Sequence, residues 1–562
     1  MTCNGATRIV VLCLLLASGI AAQEEQVTRL EQEVRALREA LNAQRVDFEQ
    51  RMGSMQAELQ RRDERADAAQ LEQAVHGMLP LVAAGPKAGG VRVFGAARAR
   101  FEARQHVIDF RDGALDDEGT RMNGRVRIGF EGRVAGGGAG PEVRALAEFQ
   151  AAGRMTGNTI FDQAGPGGTP LPAEYSFFDT PFDRVGLHQG YIDLASLCCE
   201  EWSLRAGRQE FTKGSQFALG NHEWQGGLSH DGVSAQYQNK SWTSTLFHFV
   251  EAQSMDALLV TQPGDDMDDD TLSGIYIQTH PMVGMDLDVY ALYFNGHGSS
   301  SLMDRFQTLS TGTAFDGAWI PTLRGQFWTY GVRWQQTGVK LGDGLLALSA
   351  EAAWQQGDNA LDASLVGSDN EEIQGLGAEV LANWWIDPSS ELSPILSLGF
   401  YNASGGRRNG SSASGWPYAR SGYIPLFINR HFLHTDRADT DAPYFAGGGR
   451  YGALDLIPLE NTRILKAALS FALTGSSEAG LVWNAAWLAD DLGYGDEFFG
   501  HELDLFWSWR VNEDVVLSAD IGAFFPSEGA TATSNWMFFA PGSPEAGSAA
   551  ALGINLQASV HF

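Results

Sequence analysis

The chain is short of cysteine, short of basic charge, and almost without long hydrophobic runs. Its 562 residues hold 4 Cys, and 39 Lys plus Arg stand against 69 Asp plus Glu, for a formal net charge of -30. That balance excludes a protein built to wrap nucleic acid. Cys3 and Cys13 lie in the first 22 residues, and Cys198 and Cys199 are neighbours, so neither a disulfide framework nor a zinc site is spelled out. For the adjacent pair a vicinal disulfide and two free thiols both stay open. A mean hydropathy of -0.17 excludes a bundle of membrane helices. The one continuous apolar run is Ile9 to Ala22, short against the roughly 20 residues a spanning helix needs. It follows Arg8 and ends on Ala17-Ser18-Gly19-Ile20-Ala21-Ala22. This is the pattern of a secretory signal peptide over residues 1–22. No Cys follows it, which argues against a lipoprotein anchor.

What is present begins with heptads. In residues 23–75, Val27, Val34, Leu41, Phe48 and Met55 recur every seven positions. Leu30 and Leu37 fill the matching d positions, until Gln44 and Arg51 break the row. Such a pattern with charged flanks predicts a short coiled coil and self-association into a homo-oligomer. A lone amphipathic helix is the alternative. Residues 76–90, with Leu79-Pro80 and Ala84-Gly85-Pro86, read as a linker.

From residue 91 to 562 the period is two. VRVFGAARARFEARQ sets Arg92, Arg98, Arg100, Glu102 and Arg104 opposite Val91, Val93, Ala97, Ala99, Phe101 and Ala103. Eighteen segments of this kind follow, from about 91–105 and 121–134 to 551–562, many of them 10 to 15 residues long. An ordinary strand averages about 5–6 residues, and a membrane-crossing strand needs about 9–11. Long and short connections alternate strictly, as Asn239-Lys240-Ser241-Trp242 and Val511-Asn512-Glu513-Asp514 illustrate on the short side. Outer-membrane barrels have this asymmetry, with short periplasmic turns and long outer loops. Trp328, Tyr330, Trp334, Trp384, Trp385, Trp507 and Trp509 near segment ends suit interfacial girdles. The fold class expected is therefore all-β. It is a transmembrane antiparallel barrel of about 18 strands facing outer-membrane lipid, with both ends and the coiled coil in the periplasm. The last segment, LGINLQASVHF, closes the ring against the first. Its terminal Phe562 resembles the signal read by barrel-assembly machinery.

One stretch says more. Leu187 to Tyr237 contains HQGYID, then GRQEF (Gly207 to Phe211), a tryptophan-containing loop, and HDGV (His230 to Val233). Together with GHELDLFWSWRVNEDVVLSADIGAFFP (Gly500 to Pro526), it resembles the alginate export family. The resemblance implies an eighteen-stranded barrel exporting an anionic polysaccharide through an Arg-lined lumen. It also implies that Arg208 faces the pore with Asp231 as a partner. The coiled coil and the CCEE of residues 198–201 depart from that family.

If the polar faces look inward, Arg98, Arg100, Arg125, Arg127, Arg205, Arg333 and Arg463 line the channel together with Arg208 and Asp231. Guanidinium suits weak, repeated contacts with carboxylate or phosphate. Strict alternation puts Arg208 beside Leu204 and Ala206, so a bulge or register shift is expected there. Acidic residues (Asp286, Asp288, Glu351, Glu379, Glu502, Asp504, Asp520) come later in the chain and are expected on the opposite wall. A plainer reading pairs the arginines with carboxylates such as Glu102 and Glu131, keeping the lumen wet and stable. The acidic runs 112–119 and 264–270 read as solvated loops or as sites bridging divalent cations to lipopolysaccharide. The loop 403–460 is a candidate to fold inward. His222 with Glu223, and His431 with His434, lack the spacing of a catalytic or metal constellation. No enzyme and no cofactor is expected. The expected function is a passive channel for an anionic or polyhydroxy solute such as a uronate polysaccharide. The competitors are a general or small-anion porin, and a structural barrel tied to the cell wall by its coiled coil.

Overall fold

The structure, a computed structural model, describes residues 91–106, 119–135, 142–157, 185–221, 227–250, 271–297, 324–360, 371–405, 423, 451–454, 456, 457, 459, 461–490, 496–530 and 548–562. The leader, the heptad region, the linker, the acidic runs 112–118 and 264–270, and His222, Glu223, His431 and His434 lie outside these residues.

Eighteen strands follow the period-two pattern. The first nine are β1 (Val91–Gln105), β2 (Gly119–Ala135), β3 (Glu142–Gly157), β4 (Val185–Ala195), β5 (Trp202–Gln209), β6 (His230–Gln238), β7 (Trp242–Val250), β8 (Thr271–Met282) and β9 (Met285–His297). The second nine are β10 (Arg324–Leu341), β11 (Gly344–Ala360), β12 (Glu371–Trp385), β13 (Ile395–Ala403), β14 (Thr462–Thr474), β15 (Ser477–Leu488), β16 (Phe498–Arg510), β17 (Val515–Pro526) and β18 (Ala551–His561). Each pairs antiparallel with its sequence neighbours, and β18 pairs with β1. Closure removes the sheet edge, whose unpaired backbone groups would cost several kcal/mol each in hydrocarbon.

The closing seam shows how sequence sets the register. Phe101 faces Leu556 and Glu102 faces Asn555 across it. Leu552, Leu556 and Phe562 are 46%, 48% and 56% exposed, whereas Asn555 is 2% exposed. The apolar face therefore looks out and the polar face in, the reverse of a water-soluble sheet and the arrangement lipid demands. Phe562 extends the seam beyond β18: its N–H donates to the Gly95 carbonyl at 2.9 Å and its carbonyl accepts from Gly95 at 2.8 Å. The ring lies over Gly95, where a Cβ would come within 2.5 Å of it. Any larger residue at position 95 would displace the terminal ring.

The aromatic ends fall into two belts. Tyr293, Trp328, Tyr330 and Trp354 are neighbours toward the long-loop ends of β9 to β11. Trp202, Tyr237 and Trp242 cluster at the short-turn ends of β5 to β7, and Trp507 and Trp509 sit toward that end of β16. Most of the buried apolar side chains belong inside the barrel. Phe249, Phe294, Phe327, Ile373, Tyr401, Ile464, Phe499 and Phe524 come from the long-loop ends of eight strands and form one cluster with Phe217, Leu219, Leu454 and Ile457. The last four belong to connecting segments, so parts of two long connections fold into the barrel.

Candidate functional site

The polar faces of β1 to β5 form a basic arc. Glu102 is its hub. Arg100 Nε lies 2.5 Å from it and Arg121 Nη2 2.7 Å, and Asn123 donates to it at 3.0 Å. Arg100 and Glu102 are each 2% exposed. Arg98 and Arg125 stand opposite one another across β1 and β2. Arg104, on the same face, donates to the carbonyls of Ala103 and Ile554. Arg127 donates to Gln150 at 2.6 Å and approaches Glu210 at 3.2 Å. Arg205 grips Asp193 through two hydrogen bonds of 2.7 and 3.0 Å. Its guanidinium carbon sits 4.0 Å from the centre of the Tyr191 ring. Arg92 pairs with Glu131 at 2.5 Å, and Arg133 and Arg144 share Glu142. The local pairing anticipated for Glu102 and Glu131 is thus present. Even so, among the described residues, Arg92, Arg98, Arg100, Arg104, Arg121, Arg125, Arg127, Arg133, Arg144 and Arg205 outnumber Glu102, Glu131, Glu142, Glu148, Asp193 and Glu210.

Two expected pore residues sit elsewhere. Arg208 and Asp231 are partners, joined by bonds of 2.8 and 2.6 Å. They share register with Val250 of β7, on the face that carries the exposed Val233 and Leu246. No register shift occurs between β4 and β5 or between β5 and β6. The expected bulge is instead on β4: Glu148 faces Gln189 and Phe149 faces Leu187, which makes His188 the extra residue. The bulge turns both His188 and Gln189 into the interior. Arg208 consequently keeps its outward direction, and its charge is met by Asp231 rather than by the lumen. Arg463 is also outward. It precedes buried Ile464 and shares a face with exposed Leu465, and it approaches Glu497 at 3.9 Å at the long-loop end of β14. Arg333, by contrast, is buried, 2.8 Å from Asp288.

The inward segments explain the acidic residues. Residues 211–220 form a small hairpin closed by the Lys213–Leu219 bridge. Its Ser215 hydroxyl donates to Glu351 at 2.5 Å, and Phe217 stacks on Tyr423 and meets Tyr401 edge-on. Gly214, at φ +56, passes so close to β8 that a Cβ would lie 2.3 Å from the Tyr276 hydroxyl. From the other long connection, Tyr451 donates to Glu379 at 2.5 Å and the Leu454 N–H donates to Glu502 at 2.8 Å. Carboxylates of the later strands therefore anchor the inward segments. The acids also divide. Those of β9, β11 and β12 oppose the basic arc by strand count. Asp504 and Asp520 of β16 and β17 adjoin it instead, since Asp520 faces Asn555, which in turn faces Glu102. The single acidic wall expected opposite the arginines is therefore two patches.

Several interior groups escaped the sequence reading. Lys213 rides on the inward hairpin, its ammonium 5.1 Å from the centre of the Phe211 ring. Burial pushes it down to about 8, with Arg205 acting in the same sense and Asp288 against it. His188 contacts Glu210 at 2.6 Å. Lys466 of β14 is buried where Arg463 was expected. His188 and Glu210 lie within the HQGYID and GRQEF segments themselves, so those motifs carried the signal. Lys213 had none, because nothing local marks a hairpin that turns inward.

A profile described as alginate export matches residues 95–534. The chain belongs to the alginate export family. Membership makes it a passive channel of the bacterial outer membrane rather than an enzyme. Similar solved structures include the outer membrane protein OprD from Pseudomonas aeruginosa, at 10% identity and a TM-score of 0.47, covering 84% of this chain and 94% of that one. Another is OccAB4 of Acinetobacter baumannii, at 8% identity and a TM-score of 0.48, covering 85% of this chain and 99% of the other. No curated protein matches the chain.

Proposed function

We propose that this channel passes anionic, polyhydroxy solutes, with uronate oligomers as the class that fits the interior best. One observation carries the reading: guanidinium groups outnumber carboxylates along β1 to β5, while carboxylates elsewhere (Glu351, Glu379, Glu502) are engaged in holding the inward segments. Planar guanidinium groups in a row suit successive carboxylates of an extended polymer, and partial pairing with local acids keeps each contact weak enough to release. Arg98, Arg100, Arg125, Arg127 and Arg205 are the contacts we assign, with Arg333 across the lumen. The solute, oriented assembly by barrel-assembly machinery through Phe562, the leader over 1–22, the periplasmic coiled coil over 23–75 and its oligomer all belong to this proposal.

The test is planar-bilayer conductance of the whole protein, under anion and cation gradients, with and without uronate oligomers. Anion preference together with blockade by the oligomers supports the reading, and cation preference would sink it. A small-anion porin is the second reading. It is favoured by the apolar cluster that narrows the long-loop half of the lumen, and it predicts anion preference without blockade.

A further inference from the structure

The turn between β4 and β5 reads Ser196-Leu197-Cys198-Cys199-Glu200-Glu201, and the channel makes no use of it. Both thiols are free and exposed. Cysteine is ordinarily a buried residue, so two exposed thiols contribute nothing to packing. The turn that presents them is well tied. The Leu197 N–H donates to the Trp202 carbonyl at 3.1 Å, and the Trp202 N–H to the Cys199 carbonyl at 3.3 Å. The Glu201 carbonyl accepts from Gln238 at 2.9 Å, and Trp202 is packed edge-on against Tyr237.

We propose that Cys198 and Cys199 form a two-thiolate site for a thiophilic d10 cation of the zinc and cadmium class, on the short-turn rim of the barrel. The two sulfurs are 3.8 Å apart. A tetrahedral ion with metal–sulfur bonds of about 2.3 Å separates its thiolates by about 3.8 Å. A disulfide would require them to close to about 2.05 Å within an eight-membered ring. The existing spacing fits the chelate without movement. Thiolate donors select soft cations over the calcium and magnesium that predominate outside cells. The Cys199 thiol is hydrogen-bonded to Glu201, and an ion must displace the thiol proton to bind. Binding forms two metal–sulfur bonds and releases two protons to the surrounding water, and nothing is oxidised or reduced. Among the described residues no group of three or more His, Cys, Asp or Glu is placed to hold an ion, so water completes the coordination. The site needs only this hairpin and does not depend on the nature of the solute.

The test is a titration of the folded barrel with cadmium chloride, reading the thiolate-to-cadmium charge-transfer absorption, with Cys3→Ser and Cys13→Ser in every variant. One ion per chain is expected, with loss of the band in Cys198→Ser and in Cys199→Ser alike. Heat-modifiable gel mobility verifies that each variant is folded. Three results would overturn the proposal: no band above that of the double variant, a band that survives either single substitution, or protein whose pair is already oxidised as isolated.

Discussion

The arc from β1 to β5 and the arc from β7 to β13 bound the same interior with different materials. The first is filled by charge: Arg100, Arg121 and Asn123 converge on Glu102, and Arg205 closes on Asp193. The second is filled by rings: Phe247, Phe249, Tyr276, Tyr290, Phe294, Phe327 and Tyr401, against which the hairpin at 211–220 packs. Each occupies the inward face of a period-two pattern, yet the outcomes differ. The charged arc is held by ion pairs that are themselves buried, as Arg100 and Glu102 are, so each charge depends on its partner. An aromatic arc gains by excluding water and therefore recruits loop to cover it. The interior is thus divided around its circumference into a wall of buried ion pairs and a wall of packed rings.

The largest test of that division strikes the charged side. Glu102→Ala leaves Arg100 and Arg121 facing each other without their shared carboxylate. Removing one member of a buried ion group costs about 3–5 kcal/mol. Urea unfolding of the barrel in liposomes should show a loss of that order. Glu142→Ala, whose partner Arg133 is exposed, should lose about 0.2–1 kcal/mol. Equal losses would mean that Glu102 is as hydrated as a surface group.

The next test strikes the aromatic side. Phe217→Ala empties the contact with Tyr401 and Tyr423. Phe-to-Ala truncations cost about 3–5 kcal/mol, and about 3 is expected here because pore water can enter the space. Single-channel conductance should rise in the same variant. Unchanged conductance would show that the hairpin does not limit the path.

The two arcs were unequally legible in the sequence. Alternation in VRVFGAARARFEARQ and RMNGRVRIGFEGRV placed the charged arc, because side-chain direction in a strand depends only on parity. The strand order and the closure at Phe562 followed from the same parity. Parity fails in two circumstances. A bulge cannot be seen locally, so the reading set one at Arg208 when it belongs to His188. Arg463 failed through an offset: β14 begins at Thr462, which sends Thr462 and Ile464 inward and Arg463 out. The aromatic arc was invisible for another reason. Phe247 and Phe249 look like ordinary strand residues, and only contact with a loop some 30 residues earlier in the chain reveals what they cover.

Lys213 joins the arcs, riding on the hairpin of one and lying within reach of Arg205 of the other. Its ammonium is pushed down to about 8 from an ordinary 10.5. The sign follows from proton counting. Between these values the unfolded chain binds more protons than the folded one, so stability rises with pH across that window. Below about 8 the penalty of holding the charge inside is fully present. Conduction should respond oppositely, because raising the pH through about 8 removes a cation from the constriction. Anion preference should fall across that range in the native protein and stay flat in Lys213→Gln, read as reversal potential under a salt gradient.

The smallest effect is expected where the comparison reaches its outer boundary, at Arg208 and Asp231. Asp231→Asn removes the carboxylate but keeps the shape, leaving an outward arginine with the Leu187 carbonyl as its remaining described acceptor. An unpaired arginine against lipid costs about 2–4 kcal/mol at the bilayer midplane and about 0–1 near an interface. β5 ends at Gln209 and β6 begins at His230, so the pair lies one residue from the long-loop end of both strands, where a guanidinium can reach headgroups and water. The loss in unfolding free energy should therefore stay below about 1 kcal/mol, and anion preference should not change. A loss above about 2 kcal/mol would place the pair in hydrocarbon, and a change in selectivity would return Arg208 to the conducting wall.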